Sequence, residues 1–156
     1  MSMRFVLHLE HLRHFQNQGS ILFEDLVSSN ECFALEIKLK HFVESVSKNT
    51  KDVRWRENIF RSLPQVSALV KKRRLDVFAA NLVHRPRLSL VGDFWVFPGD
   101  KIVEREEDCQ LLLCLSGEKI GHGVFFTGSY PTELYFPQEN ETALLLSFSS
   151  VGIPIS

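Results

Sequence analysis

The chain has 156 residues, 44% of them hydrophobic and 24% charged, which is the size and balance of one soluble globular domain with a substantial core. Eighteen basic residues against nineteen acidic ones leave a formal charge of -1, so no whole-molecule field draws it to nucleic acid, and binding there would need a local patch. No stretch approaches the roughly 20 apolar residues of a membrane span, and the N-terminal MSMRFVLHLEH lacks the apolar core and cleavage site of a signal peptide; a cytoplasmic location without membrane attachment is expected.

Thirteen Phe against two Tyr and two Trp put the aromatic content into packing volume, since Phe has no hydrogen-bonding tip. The first segment, from about Val6 to Gln18, carries Leu9, Leu12 and Phe15 on a helical stripe and stops at Gly19, a natural C-terminal cap. Its three histidines, His8, His11 and His14, invite a metal reading. A helix turns about 100° per residue, so His8 and His14 stand about 120° apart around the axis and do not close on one ion.

Ser20 to Glu24 is written as a short strand. Ser28 or Ser29 then caps a helix with Glu31 in its first turn and Cys32, Leu35, Leu39, Phe42, Val43 and Val46 on its core face. After the polar break Lys48 to Asp52, the segment Val53 to Leu63 turns Trp55, Ile59 and Phe60 inward and ends at Pro64. Pro64 opens a long helical pattern to Leu82, with a break expected near Leu75. Inside it, Lys71, Lys72, Arg73 and Arg74 spread over about 300° of azimuth and therefore describe a solvated face rather than one docking patch.

From Arg87 onward the pattern becomes that of strands: Leu88 to Val91, Phe94 to Phe97, Cys109 to Leu115, Gly123 to Thr127, Glu133 to Phe136 and Thr142 to Phe148. Cys109–Leu115 and Gly123–Thr127 form the central pair, two short apolar runs joined by a polar connection with glycines. Helices first and strands afterwards make an α+β arrangement. The absence of βαβ alternation argues against a parallel sheet, and an antiparallel sandwich or small barrel backed by helices fits best. Residues 1–156 form one domain, with 1–86 mainly helical support around one early strand and 87–156 mainly the β-core.

Three cysteines, Cys32, Cys109 and Cys114, form an odd set without CxxC spacing. On one strand Cys109 and Cys114 point to opposite faces, so reduced, buried thiols are expected. GEKIGHG lacks the spacing of a phosphate-binding loop, and Ser116, Ser129 and Cys114 lack a nucleophile elbow or an identifiable base.

Three phrases, HLRHFQNQGSILFEDLVSSNECFALEIKLKHF, PRLSLVGDFWVFPGD and GHGVFFTGSY, give the chain an order of features that resembles the phytanoyl-CoA dioxygenase branch of the Fe(II)/2-oxoglutarate oxygenases. That resemblance implies a double-stranded β-helix, a jelly-roll or cupin-like core, behind N-terminal helices. More closely, the chain resembles a small chlamydial family for which a divalent-cation-dependent regulatory role has been suggested.

Oxygenase chemistry needs two histidines and a carboxylate on one face of an iron that keeps positions open for 2-oxoglutarate and oxygen. Where that family places its HxD or HxE pair, this chain has FWVFPGDKIVEREEDCQ, without histidine. Glu104, Glu106, Glu107 and Asp108 are the available carboxylates, and Glu106 and Asp108 share a face if extended; such a set suits Mg or Ca better than Fe(II). The family's GSH histidine corresponds to Tyr130, and ETALLLSFSSVGIPIS offers neither a distal histidine nor an arginine for the oxoacid. His122, between two glycines, is the remaining imidazole near the strands.

The sequence therefore points to a non-catalytic binding or regulatory protein on an oxygenase-like scaffold, with no catalytic residue, cofactor or metal ligand expected and with a protein as its partner. If a metal is bound, His122, Glu104, Glu106 and Asp108 are the candidates. One alternative is a divergent oxygenase using Fe(II) and 2-oxoglutarate, with His122 and the carboxylates of Glu104 to Asp108 as ligands. Another is a divalent-cation-dependent DNA-binding regulator using the helices around Lys71 to Arg74. A homodimer is expected if Phe-rich patches lie exposed.

Overall fold

The computed structural model describes residues 7–46, 57–100, 108–130 and 137–150. Helix α1, Leu9–Gln18, stops because Gly19 adopts a left-handed conformation, φ 74°, and returns its N–H to the carbonyl of Phe15 at 2.7 Å. Leu12 and Phe15 pack inward, but Leu9, expected beside them, is 61% exposed. Each three-residue step falls about 60° short of a full turn, so Leu9 sits about 120° from Phe15, and Leu7 joins the core instead. Val6 lies outside the described residues.

Strand β1, Ser20–Phe23, alternates its burial and sends Ile21 and Phe23 toward the helices. Helix α2, Ser29–Val46, begins with a reciprocal cap. The Glu31 N–H donates to Ser28 Oγ at 3.2 Å, and the Ser28 N–H donates to the Glu31 carboxylate. Cys32, Leu35, Leu39 and Phe42 fall on the core side as the spacing predicts, while the side chains of Val43 and Val46 lie outside what is described.

A 3-10 helix, Ile59–Arg61, precedes α3, Pro64–Arg73, which has proline in its first turn. Ile59 is buried and Phe60 packs against the core; Trp55 lies outside the described residues. The expected break falls at Arg74, whose left-handed backbone, φ 57°, separates α3 from α4, Leu75–Leu82.

The remaining strands are β2, Ser89–Val96, β3, Cys109–Cys114, β4, Gly123–Phe126, and β5, Ala143–Ser149. The two strands expected before and after Gly92 are one strand, because a register shift between Leu90 and Gly92 absorbs the interruption. The stretch Glu133 to Phe136 lies outside the described residues. The described strands make one five-stranded sheet in the order β1-β4-β3-β5-β2, and every pairing is antiparallel. This is the expected α+β class with an antiparallel sheet.

Both faces of the sheet are filled. Leu111, Leu113, Phe125, Leu144, Leu146 and Phe148 meet the helices, and Leu112, Cys114, Val124, Phe126, Ala143 and Leu145 form a second cluster on the far side. Every residue of β3, β4 and β5 is buried. An antiparallel sheet with one solvated face would alternate instead.

Candidate functional site

The two described residues that the sequence offers as ligands, Asp108 and His122, stand at opposite ends of β3. Asp108 immediately precedes the strand. Its Oδ2 accepts the N–H of Ser150 at 2.8 Å and the hydroxyl of Ser149 at 3.2 Å, with Arg85 at 3.7 Å. The Ser150 N–H holds the carboxyl below its ordinary range, burial works the other way, and the two serine hydroxyls and Arg85 add to the lowering. Asp108 therefore fastens the start of β3 to the end of β5.

His122 belongs to the turn at the opposite end, where its N–H donates to the Lys119 carbonyl and its own carbonyl accepts the Cys114 N–H, both at 2.9 Å. Its Nδ1 is buried with no hydrogen-bond partner among the described residues. The six residues of β3 separate the two sites by roughly 20 Å at about 3.4 Å per residue, far beyond shared coordination of one ion. Glu104, Glu106 and Glu107 lie outside the described residues. Among the described residues no three His, Cys, Asp or Glu side chains are grouped to hold a metal. Asp108 and His122 therefore do not fit a common iron, and no oxygenase step runs through them.

The N-terminal histidines do local work. His11 Nδ1 accepts the N–H of His8 at 3.0 Å, and the His11 ring meets Phe23 edge-on at 5.0 Å. Burial first, and then the charge of His8, lower the His11 pKa; Glu10 opposes them, and His14 adds a smaller lowering. Tyr130 packs edge-on against Phe126 at 5.0 Å, on the far side of the sheet. Ser116 Oγ accepts the Thr142 N–H at 3.0 Å and so joins the turn after β3 to the start of β5.

The basic run is not the uniformly solvated face that its azimuthal spread suggests. Arg73, with only 24% of its side chain exposed, and Lys72 both ion-pair with Glu31 at the start of α2. The physical reason is the antiparallel contact of α2 with α3, which brings an acidic first turn to a basic last turn, favourable to both helix dipoles. Burial pushes the Glu31 carboxyl upward, but hydrogen bonds from Arg73, Ser28 and Lys72 and the Arg73 charge outweigh it and hold the pKa at about 2.

Two buried acids had no visible role in the sequence. Asp93, 2% exposed in β2, accepts the N–H groups of Ile59 at 2.6 Å and Phe60 at 2.8 Å; burial nevertheless raises its pKa to about 6. Glu36, 7% exposed, accepts the Thr142 hydroxyl at 2.7 Å and pairs with Lys40 at 3.2 Å. The signal for Asp93 was its position as a single acid inside the apolar run LVGDFWVF. The three cysteines are free and buried, as their spacing predicts, and burial lifts the thiols of Cys32 and Cys109 to about 12. No helix among the described residues is long and apolar enough to cross a membrane.

Helices packed on one face of a five-stranded antiparallel sheet define an α+β protein in which Asp93, Glu31, Glu36 and Asp108 tie elements of the fold together. The chain belongs to the family described as Domain of unknown function (DUF5070), whose profile matches residues 3–154. It is similar to CT296 from Chlamydia trachomatis. In the 1.8 Å structure of that protein the identity is 48%, the TM-score 0.86, and the match covers 96% of this chain and 99% of the other. The 2.5 Å structure of selenomethionine-labelled CT296 gives 49% identity and a TM-score of 0.87, covering 96% and 100%. The viral collagen prolyl hydroxylase vCPH from Paramecium Bursaria Chlorella virus-1, in its 2OG complex, shares 10% identity at a TM-score of 0.47 over 85% of this chain and 96% of its own, a level that does not establish a common fold. No curated protein matches the chain.

Proposed function

We propose that the chain is a non-catalytic binding or regulatory protein, built on a double-stranded β-helix of the 2-oxoglutarate-oxygenase type that lacks the iron triad. The observation that carries this reading is the far side of the sheet, where an oxygenase would hold its metal. It is packed with Val96, Leu112, Cys114, Val124, Phe126 and Leu145. A facial triad needs imidazoles and a carboxylate converging on one point, and the two candidate donors among the described residues stand at opposite ends of a strand. The jelly-roll winding is the finer part of this reading: helices cover one sheet face, and burial of the other is what a second β-layer would produce.

The partner is a protein, met through the helices. Phe33 and Ile37 lie one turn apart on α2, 60% and 39% exposed. A cytoplasmic location belongs to the same reading, in keeping with three reduced cysteines.

The test is anaerobic titration with Fe(II) and 2-oxoglutarate. The expected result is no oxoacid-dependent charge-transfer absorption. A stoichiometric band that requires both components would overturn the reading.

A further inference from the structure

A cleft of about 460 Å³ opens where α3, α4 and the 3-10 helix meet the start of β2, within the size range of small-molecule sites. Its apolar wall includes Val70, Ala80 and Leu88, each buried to within 4% of complete. Its charged lining is Lys71 from the last turn of α3, Arg87 from the approach to β2, and Asp76 from the first turn of α4. The cleft thus joins an apolar surface to charged side chains, the combination expected of a ligand site.

Among the described residues neither Lys71 nor Arg87 is ion-paired. Their neighbours in sequence are: Lys72 and Arg73 are committed to Glu31, and Arg85 to Asp108. Asp76 turns its Oδ1 back to the Val77 N–H at 2.9 Å and is ion-paired with neither cation, so it offsets only part of their charge. Two cations against one carboxylate leave a single net positive charge in the lining. A neutral or cationic occupant would leave that charge uncompensated, and a dianion would overcompensate it beside Asp76.

We propose that this cleft binds a small organic monocarboxylate, its apolar body against Val70, Ala80 and Leu88 and its carboxylate between Lys71 and Arg87. The guanidinium of Arg87 offers the planar pair of donors that matches a carboxylate, and Lys71 supplies a point charge. Both cations are exposed, so the affinity falls with salt. Occupancy is independent of what the far face of the sheet holds, because the cleft lies on the helical side.

The test titrates the full chain with octanoate and, separately, with the neutral alcohol of the same chain length, 1-octanol, followed by calorimetry and by amide NMR shifts. At low salt octanoate binds about tenfold or more tightly than octanol, and its shifts centre on Val77 to Ala80 and Leu88 to Leu90. Lys71→Gln and Arg87→Gln, made singly and together at exposed positions and checked for native circular dichroism, each weaken octanoate by about threefold or more; Lys72→Ala leaves it unchanged. Equal binding of octanol, shifts centred elsewhere, full affinity in the double variant, or no octanoate binding at millimolar concentration would each overturn the proposal.

Discussion

Asp93 Oδ1 accepts the backbone N–H of Ile59 at 2.6 Å, across 34 positions of sequence, and so clamps the 3-10 helix onto β2. Oδ2 takes the next N–H, that of Phe60, at 2.8 Å. Burial still lifts the acid from 3.8 to about 6, so the folded protein holds this proton more tightly than the unfolded chain does. The associated stability is fully present below pH 3.8 and is lost as the pH rises through about 6. A shift of about two units corresponds to ~3 kcal/mol. Urea unfolding of the parent and of Asp93→Asn, each at pH 4 and pH 7, isolates the effect: the parent loses ~2 kcal/mol more than the variant over that interval.

The Glu31 cluster behaves in the opposite sense. Its carboxyl is depressed from 4.5 to about 2, so the stability it contributes is present above pH 4.5 and is lost as the pH falls through about 2. Glu31→Gln keeps a side chain able to complete the cap with Ser28 but removes the charge facing Arg73; a loss of about 1–3 kcal/mol at pH 7 is expected in urea unfolding. Glu31→Ala loses the cap as well and costs more. Lys72→Ala, at a side chain 68% exposed, stays within about 0.5 kcal/mol of the parent.

Gly121 tolerates no side chain. Its φ is 90°, and a Cβ there would stand 2.3 Å from the carbonyl oxygen of Val27, whose own N–H donates to the Gly121 carbonyl at 3.2 Å. Gly121→Ala must therefore break the contact between the β3–β4 connection and the segment before α2, lowering the urea midpoint by the equivalent of about 2 kcal/mol or more.

The thiols give a chemical readout of the core. Cys32 and Cys109, with pKa values raised to about 12 by burial, resist a thiol-specific reagent at pH 8 in the native protein. In urea all three cysteines react. Stoichiometric labelling of either residue in the folded state would contradict their placement.

Much of the frame was legible in the sequence because its signals are local. Gly19, the Ser28–Glu31 pair and Pro64 marked helix ends through backbone geometry that needs no distant partner. The apolar runs of β3 and β4 likewise declared a buried pair. What escaped depends on long-range contact. Gly92 looked like a break between strands, and only the bulge against β5 shows that pairing continues through it. Asp93 gained its role from a segment more than 30 positions earlier. The separation of Asp108 from His122 was available in principle: residues that immediately precede each of two antiparallel strands lie at opposite ends of the hairpin.

The strand order β1-β4-β3-β5-β2 bears on how a ribosome delivers this molecule. β1 emerges about a hundred residues ahead of β4, the strand it pairs with, and β2 must wait for β5. β5, the latest of the five to be synthesised, enters between β2 and β3 rather than at an edge. A nascent chain halted before Ala143 would carry the helices and four strands yet leave β2 and β3 without the neighbour that joins them, so a premature stop there deletes the middle of the sheet instead of trimming its margin.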